Sequence, residues 1–201
     1  MYQNVGKRLG DLWLAAIGLV LLSPVLALLF VVLLCAQGRP VLFSHTRVGQ
    51  HFVPFKLYKF RSMSSSGHTQ ESGFSPELAD RRTPIGRFIR GSKLDELPQL
   101  WNVLRGDMAL VGPRPEVPQW VDGESELWQE VLSVRPGITD TASIHFFDEE
   151  QQLRLSESPE ELYGGTILPE KLRLASAYAR NVTFIGDARI VLQTFAQLFR
   201  R

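Results

Sequence analysis

The chain has 201 residues, enough for one globular body with a substantial core and an appended membrane element. Its formal net charge of +1 conceals an asymmetry: residues 1–114 carry 14 Lys/Arg against 7 Asp/Glu, whereas residues 115–201 carry 8 against 14. The basic half suits phosphate-rich ligands or anionic head groups. Its cations fall singly or in pairs rather than in long runs, so no nucleic-acid partner is expected. Cys35 is the only cysteine, which excludes an intrachain disulfide, and His45, His51, His68 and His145 show no zinc-like spacing.

From Leu12 to Ala36 no charged side chain occurs. The run is long for a signal-peptide core and no A-x-A site follows it. About 20 apolar residues suffice to cross a bilayer, so a single span is one reading. Ser23-Pro24 near its middle and basic residues on both flanks, Lys7 and Arg8 before, Arg39 and Arg47 after, favour a second. Proline removes a helical hydrogen bond, and positive charge marks the cytoplasmic side, so a bent helix that enters and leaves one leaflet keeps both flanks inside. On the residues alone the two readings stand side by side.

Pro40–Phe60 reads as a β-hairpin, with Val41-Leu42-Phe43 in one arm, a turn at Gly49-Gln50 and Phe52–Phe60 in the other. Alternation puts Lys59 and Arg61 on one face. Ser62–Pro84 is polar and reads as a loop. Leu94, Leu97, Trp101 and Leu104 recur at helical spacing, with Pro98 suited to the first turn and Gly106 placed to stop the helix. Asp95 and Glu96 then sit at its positive end, where ionised carboxylates are favoured. Gly112-Pro113-Arg114-Pro115 and Arg135-Pro136-Gly137-Ile138-Thr139 are stiff turns that each present an arginine. Two helices close the chain, about Glu170–Arg180 and Asp187–Phe199, the second with Ile190, Val191, Phe195, Leu198 and Phe199 on one face and Arg189, Arg200 and Arg201 available to lipid phosphates or, alternatively, packed on the core.

An isolated Asp-Glu pair is more often a surface cap than a catalyst. Here Arg87, Arg90 and Lys93 precede it and two arginine turns follow. A diphosphate substrate needs this combination, because fixed cations neutralise its oxygens while a carboxylate holds Mg²⁺ or attacks phosphorus.

The run Leu94–Met108, continuing through Leu110-Val111-Gly112-Pro113-Arg114-Pro115, resembles the signature of the bacterial sugar transferases, the monotopic phosphoglycosyl transferases. Lys59-Phe60-Arg61-Ser62-Met63 and Arg135–Thr139 match two further blocks, and Lys7-Arg8 with Asp11, then Ser23-Pro24, match the membrane element. The resemblance implies an α+β fold: a re-entrant membrane helix hairpin over residues 1–39, broken at Ser23-Pro24 with Lys7, Arg8 and Asp11 at the membrane interface. A small, mostly helical cytoplasmic domain with a short β-hairpin would occupy residues 40–201. It further implies transfer of a phosphosugar from a UDP-sugar to polyprenyl (undecaprenyl) phosphate at the cytoplasmic face of the bacterial inner membrane, as the first membrane step of a glycan pathway. UMP would be released and other glycosyltransferases of that pathway would be partners. Asp95 becomes the nucleophile and Mg²⁺ ligand, Glu96 an assisting residue, and Lys59, Arg61, Arg90, Arg114 and Arg135 the cations around phosphate or nucleotide. Residues 140–150, Asp140-Thr141-Ala142-Ser143-Ile144-His145-Phe146-Phe147-Asp148-Glu149-Glu150, depart from the commoner pattern, so no sugar or uridine contact carries over there. On chemistry alone a membrane-bound lipid phosphatase or pyrophosphatase also fits, as does a non-catalytic scaffold of a glycan assembly complex.

Overall fold

A computed structural model describes residues 2–63 and 83–198. Most of the polar stretch read as a loop, together with Phe199, Arg200 and Arg201, therefore lies outside the described residues. The fold mixes α-helices with two small sheets. The chain runs through α1 (Lys7–Gln37), the hairpin strands β1 (Leu42–Val48) and β2 (Pro54–Phe60), α2 (Pro84–Gly91), a 3₁₀ turn (Leu94–Glu96), α3 (Gln99–Arg105) and β3 (Ala109–Val111). Then come α4 (Glu126–Val131), β4 (Gly137–Thr139), α5 (Thr141–His145), α6 (Glu149–Leu155), α7 (Pro159–Leu162), α8 (Leu168–Arg180) and α9 (Phe184–Leu198).

Helix α1 has 31 residues, of which only Asp11, Ala15 and Leu33 are buried. It is continuous through Pro24, where the sequence suggested a break. Pro24 has no N–H to offer the Val20 carbonyl, and the Ser23 hydroxyl donates to that same oxygen at 2.7 Å. The Ser-Pro pair thus repairs the hydrogen bond that its own proline removes.

Both ends of α1 are fastened to the same globular body. Lys7 Nζ lies 2.7 Å from Asp187 Oδ2 on α9, which also accepts from the Tyr2 hydroxyl at 2.7 Å. Asp11 accepts from the Leu110 N–H at 3.2 Å. Arg8 donates to the Val103 and Leu104 carbonyls, at the C-terminal end of α3, at 2.7 and 3.2 Å. Lys7, Arg8 and Asp11 are therefore all committed to ties within the protein. At the other end Arg61 donates to the Gln37, Gly38 and Arg39 carbonyls. It caps the terminus of α1, where the last carbonyls lack intrahelical partners.

The hairpin forms as expected, although its first arm extends to Val48; Phe43 pairs with Lys59 and His45 with Leu57. The free edge of β2 is closed by a side chain. Asn102 of α3, fully buried, accepts from Tyr58 N–H at 3.1 Å and donates to the Lys56 carbonyl at 2.7 Å. One amide thereby satisfies a strand edge that would otherwise hold orphaned groups, and it sets the height of β2 against α3. Of the helical stripe read in the sequence, Trp101 is exposed, while Leu100 and Val103 are buried with Ala15, Leu57 and Met108.

The two proline turns lie side by side, joined by the parallel pair β3–β4, which the sequence did not suggest. Ala109 N–H donates to the Pro136 carbonyl at 2.8 Å, Gly112 to Thr139 at 3.0 Å and Gly137 to Pro113 at 2.9 Å. A Cβ on Gly137 would stand 2.1 Å from the Gly112 nitrogen, so only glycine permits this approach. Gly137→Ala forces the two turns apart and is expected to destabilise the fold by about 2 kcal/mol or more, measured as a lowered midpoint in denaturant unfolding in detergent, with Gly165→Ala, which meets open space, as the control.

Candidate active site

Three segments meet at Glu96. The 3₁₀ turn Leu94–Glu96 follows Lys93, whose φ of 58° turns the chain sharply at the end of α2. It feeds into α3 through Pro98, so the Asp-Glu pair stands at the start of the helical run as expected. Strand β2 brings Lys59, and the Gly112–Pro115 turn brings Arg114. Lys59 Nζ and Arg114 Nη2 each lie 2.7 Å from Glu96 Oε1. The backbone of Arg114 is fixed as well, because its N–H donates to Asp140 Oδ2 at 3.1 Å.

The two adjacent carboxylates have opposite environments. Burial alone would raise the Glu96 carboxyl, but Arg114 and Lys59 outweigh it and hold the group well below the usual carboxylate range. Burial raises Asp95 above its ordinary value; Lys59 pulls it down, and the Glu96 charge pushes it back up. Asp95 is only 4% exposed and its Oδ1 has no hydrogen-bond partner among the described residues. One carboxylate is neutralised by two cations, and the other is buried beside them with an oxygen uncommitted. The Glu96 charge raises Arg114, whereas burial lowers Lys59 to about 8 despite its carboxylate neighbour.

Of the other expected cations, Arg90 is on the rim of the site: its Nε lies 3.2 Å from Glu150, and its charge reaches Asp95. Arg61 and Arg135 are elsewhere. Arg61 caps α1, and Arg135 Nε donates to the Gly106 carbonyl at 3.1 Å, at the opposite end of α3 from Glu96. Two groups not singled out as ligands belong to the arrangement. Lys93 lies within the field of Glu96 and Asp95, its pKa lowered chiefly by burial. Glu116, two residues beyond Arg114, anchors a buried network: it accepts from the Tyr163 hydroxyl, and Lys171 and Arg47 lie 3.4 and 3.7 Å away. Its position directly after the Arg114-Pro115 pair was the available sequence signal.

The stretch 140–150 contributes three acids around this site. Asp140 caps α5 by accepting from Ser143 N–H at 2.7 Å while its other oxygen holds Arg114. Glu149 reaches Lys171 at 3.2 Å and Glu150 reaches Arg90.

The chain matches the bacterial sugar transferase family over residues 2–201 and belongs to it. A Caulobacter vibrioides UDP-glucose:undecaprenyl-phosphate glucose-1-phosphate transferase is 35% identical over 208 residues, covering 97% of this chain and 70% of its own length. A candidate undecaprenyl-phosphate N-acetylgalactosaminyl 1-phosphate transferase of Bacillus subtilis is 44% identical over 117 residues, which is 58% of this chain and 65% of the relative. The UDP-N-acetylgalactosamine-undecaprenyl-phosphate N-acetylgalactosaminephosphotransferase of Aeromonas hydrophila is 38% identical over 141 residues, 69% of this chain but 33% of that protein. The alignment thus spans only a third to just under two thirds of the last two proteins.

Lys59 links this geometry to pH. Its ammonium is intact below about 8 and is lost as the pH rises through that value. The rate per enzyme, measured as kcat/KM, is expected to fall along an alkaline limb centred there. Lys59→Arg, whose guanidinium stays charged, should remove that limb even where its overall rate is lower.

Proposed function

We propose that this chain transfers a phosphosugar from a UDP-sugar to polyprenyl phosphate and releases UMP, with Asp95 as the nucleophile. The observation that carries the reading is the contrast between the two carboxylates: Glu96 is paired with Lys59 and Arg114, while Asp95 is buried beside them with Oδ1 free. Glu96 is then a positioning residue that fixes two cations where phosphate oxygens arrive, and Asp95 is free to react. The names of the relatives support the donor and carrier assigned here.

In the first half-reaction an Asp95 oxygen forms a bond to the β-phosphorus of the donor. The bond from that phosphorus to the bridging oxygen breaks, and its electron pair leaves with UMP. In the second, an oxygen of polyprenyl phosphate attacks the same phosphorus and the Asp95 carboxylate departs, leaving polyprenyl-diphosphate-sugar. No proton need be exchanged. Each step brings an anion to an anionic centre, which Lys59 and Arg114 offset; Arg90 adds charge at the rim.

An uncommitted buried carboxylate oxygen suits a divalent cation. Among the described residues no group of three or more acidic, His or Cys side chains forms a cage. Mg²⁺ held by Asp95 would therefore rely on substrate phosphates and water for its other positions. When bound it would neutralise developing phosphate charge.

For topology we favour the re-entrant arrangement over a span: both ends of α1 are tied to one body, so its flanks belong on one side of the bilayer. Trp13, Val20 and Leu21 of α1 are exposed, as are Phe88 of α2 and Trp101 of α3. Helix α9 begins three residues earlier than the sequence suggested, and Phe184, Ile185, Leu192 and Phe195 are exposed within an arc of about 100°. Ile190 instead faces the core, so the single face drawn in the sequence is divided between core and surface. These exposed apolar groups suit insertion into one leaflet. Residues 1–39 then form the membrane element and 40–201 the catalytic domain, on the cytoplasmic face of the bacterial inner membrane. Membrane lipids and glycosyltransferases of the same glycan pathway would be its partners.

Two experiments test these readings. Enzyme incubated with UDP-sugar and Mg²⁺, without the lipid acceptor, should acquire a phosphosugar on Asp95 in mass spectra, and polyprenyl phosphate should discharge it. Asp95→Asn should lower turnover at least about a thousandfold, since the nucleophile itself is lost. An adduct on another residue, or substantial turnover in that variant, overturns the assignment. Single cysteines at positions 4 and 44, in a Cys35→Ser background, should both be labelled only from the cytoplasmic side; labelling of position 4 from the periplasm would mean that α1 spans.

A further inference from the structure

A two-stranded sheet has two free edges. That of β2 is closed by Asn102, whereas that of β1 is only partly closed. Val48 N–H turns outward to the Glu116 carbonyl at 2.9 Å. Because outward groups alternate along a strand, Ser44 and Thr46 direct their N–H and C=O to the same side. Both residues line a cavity of about 400 Å³ between β1 and the Val117–Gln119 segment.

The walls of this cavity have a particular chemistry. The rings of Phe43 and His45 are nearly parallel, 22° apart in plane with centroids separated by 6.1 Å. Burial, then the charges of Arg47, Lys56 and Lys59, lower the pKa of His45 and favour its neutral form. The cavity also adjoins the site. Phe43 is the cross-strand partner of Lys59, and Val117 follows Arg114 by three residues. The two cations bound by Glu96 thus stand on the segments that form its walls.

We propose that this cavity receives the pyrimidine nucleoside of the donor. The base extends the Phe43–His45 stack, and the acceptor-donor-acceptor edge of uracil meets the outward N–H and C=O groups of Ser44 and Thr46. The inference rests on the phosphosugar-transfer reading and adds the place where the nucleotide is recognised. Two other occupants fit less well. An isoprenoid chain would meet Ser44, Thr46, Lys56 and Gln119, and an added peptide strand would be stopped where Glu116 closes the edge at Val48.

The test uses the full-length protein in detergent with UMP as the probe. His45→Ala and Phe43→Ala should each weaken UMP binding roughly tenfold, the scale of one lost base-ring stack, and raise the KM for UDP-sugar by a similar factor. In the wild type, 5-azido-UMP should crosslink within residues 43–46 or 117–119, a readout that does not depend on how the variants fold. UMP bound equally well by both variants, or crosslinks confined to other segments, overturns the pocket. If the wild type still forms lipid-linked product in that case, the transferase reading survives. A wild type that neither binds UMP nor forms product overturns both.

Discussion

The carboxylate of Glu96 is the point at which three segments far apart in sequence are held together. Lys59 comes from the hairpin, Arg114 from a proline turn, and Glu96 itself from the turn leading into α3. Burying a carboxylate is costly unless its charge is matched, and breaking such a pair by removing one partner costs about 3–5 kcal/mol. With two cations on one acid, the cluster keeps a net positive charge after Glu96 is satisfied. That surplus faces Asp95 and whatever anion comes to it. The same interaction therefore serves the fold and the chemistry, and loss of either cation removes the positive surplus that faces the incoming anion.

The supporting layers follow from the demands of Arg114. Its side chain is held by Glu96 and its backbone by Asp140, while Glu116, just beyond Pro115, is held by Tyr163, Lys171 and Arg47. Residues on either side of the arginine are thus immobilised before a ligand binds, which lowers the entropy lost on binding. The stretch 140–150 contributes Asp140 to this arrangement and Glu150 to Arg90.

Much of this was legible in the sequence wherever the signal was local. The hairpin, the Asp-Glu position ahead of α3, the stop at Gly106 and the two stiff arginine turns all follow from periodicity, proline and glycine. The contacts that the sequence left hidden share a physical cause. Arg61 and Arg135 read as phosphate ligands because each belongs to a recognisable block, yet both donate to carbonyls at helix ends, Arg61 at Gln37–Arg39 and Arg135 at Gly106. A helix terminus needs donors, and which arginine supplies them depends on packing across long stretches of chain. The ties of Lys7, Arg8 and Asp11 to α9, α3 and β3 were hidden for the same reason. The role of Asn102 was equally hidden, since the edge it closes exists only once the hairpin and α3 have met.

The fastening of α1 also bears on how the protein is made. Lys7 and Asp187 are 180 positions apart, and Arg8 reaches a carbonyl 95 positions downstream. The apolar helix leaves the ribosome well before these anchors exist, so on the membrane reading proposed above it meets the bilayer with Arg8 unpaired and with Lys7 and Asp11 left only to each other. Its final seating must wait until α3, β3 and α9 have been synthesised and folded. Final seating of the helix and domain closure are consequently one assembly event, and a chain truncated before α9 would carry the hydrophobic segment without the contact that pins its first turn.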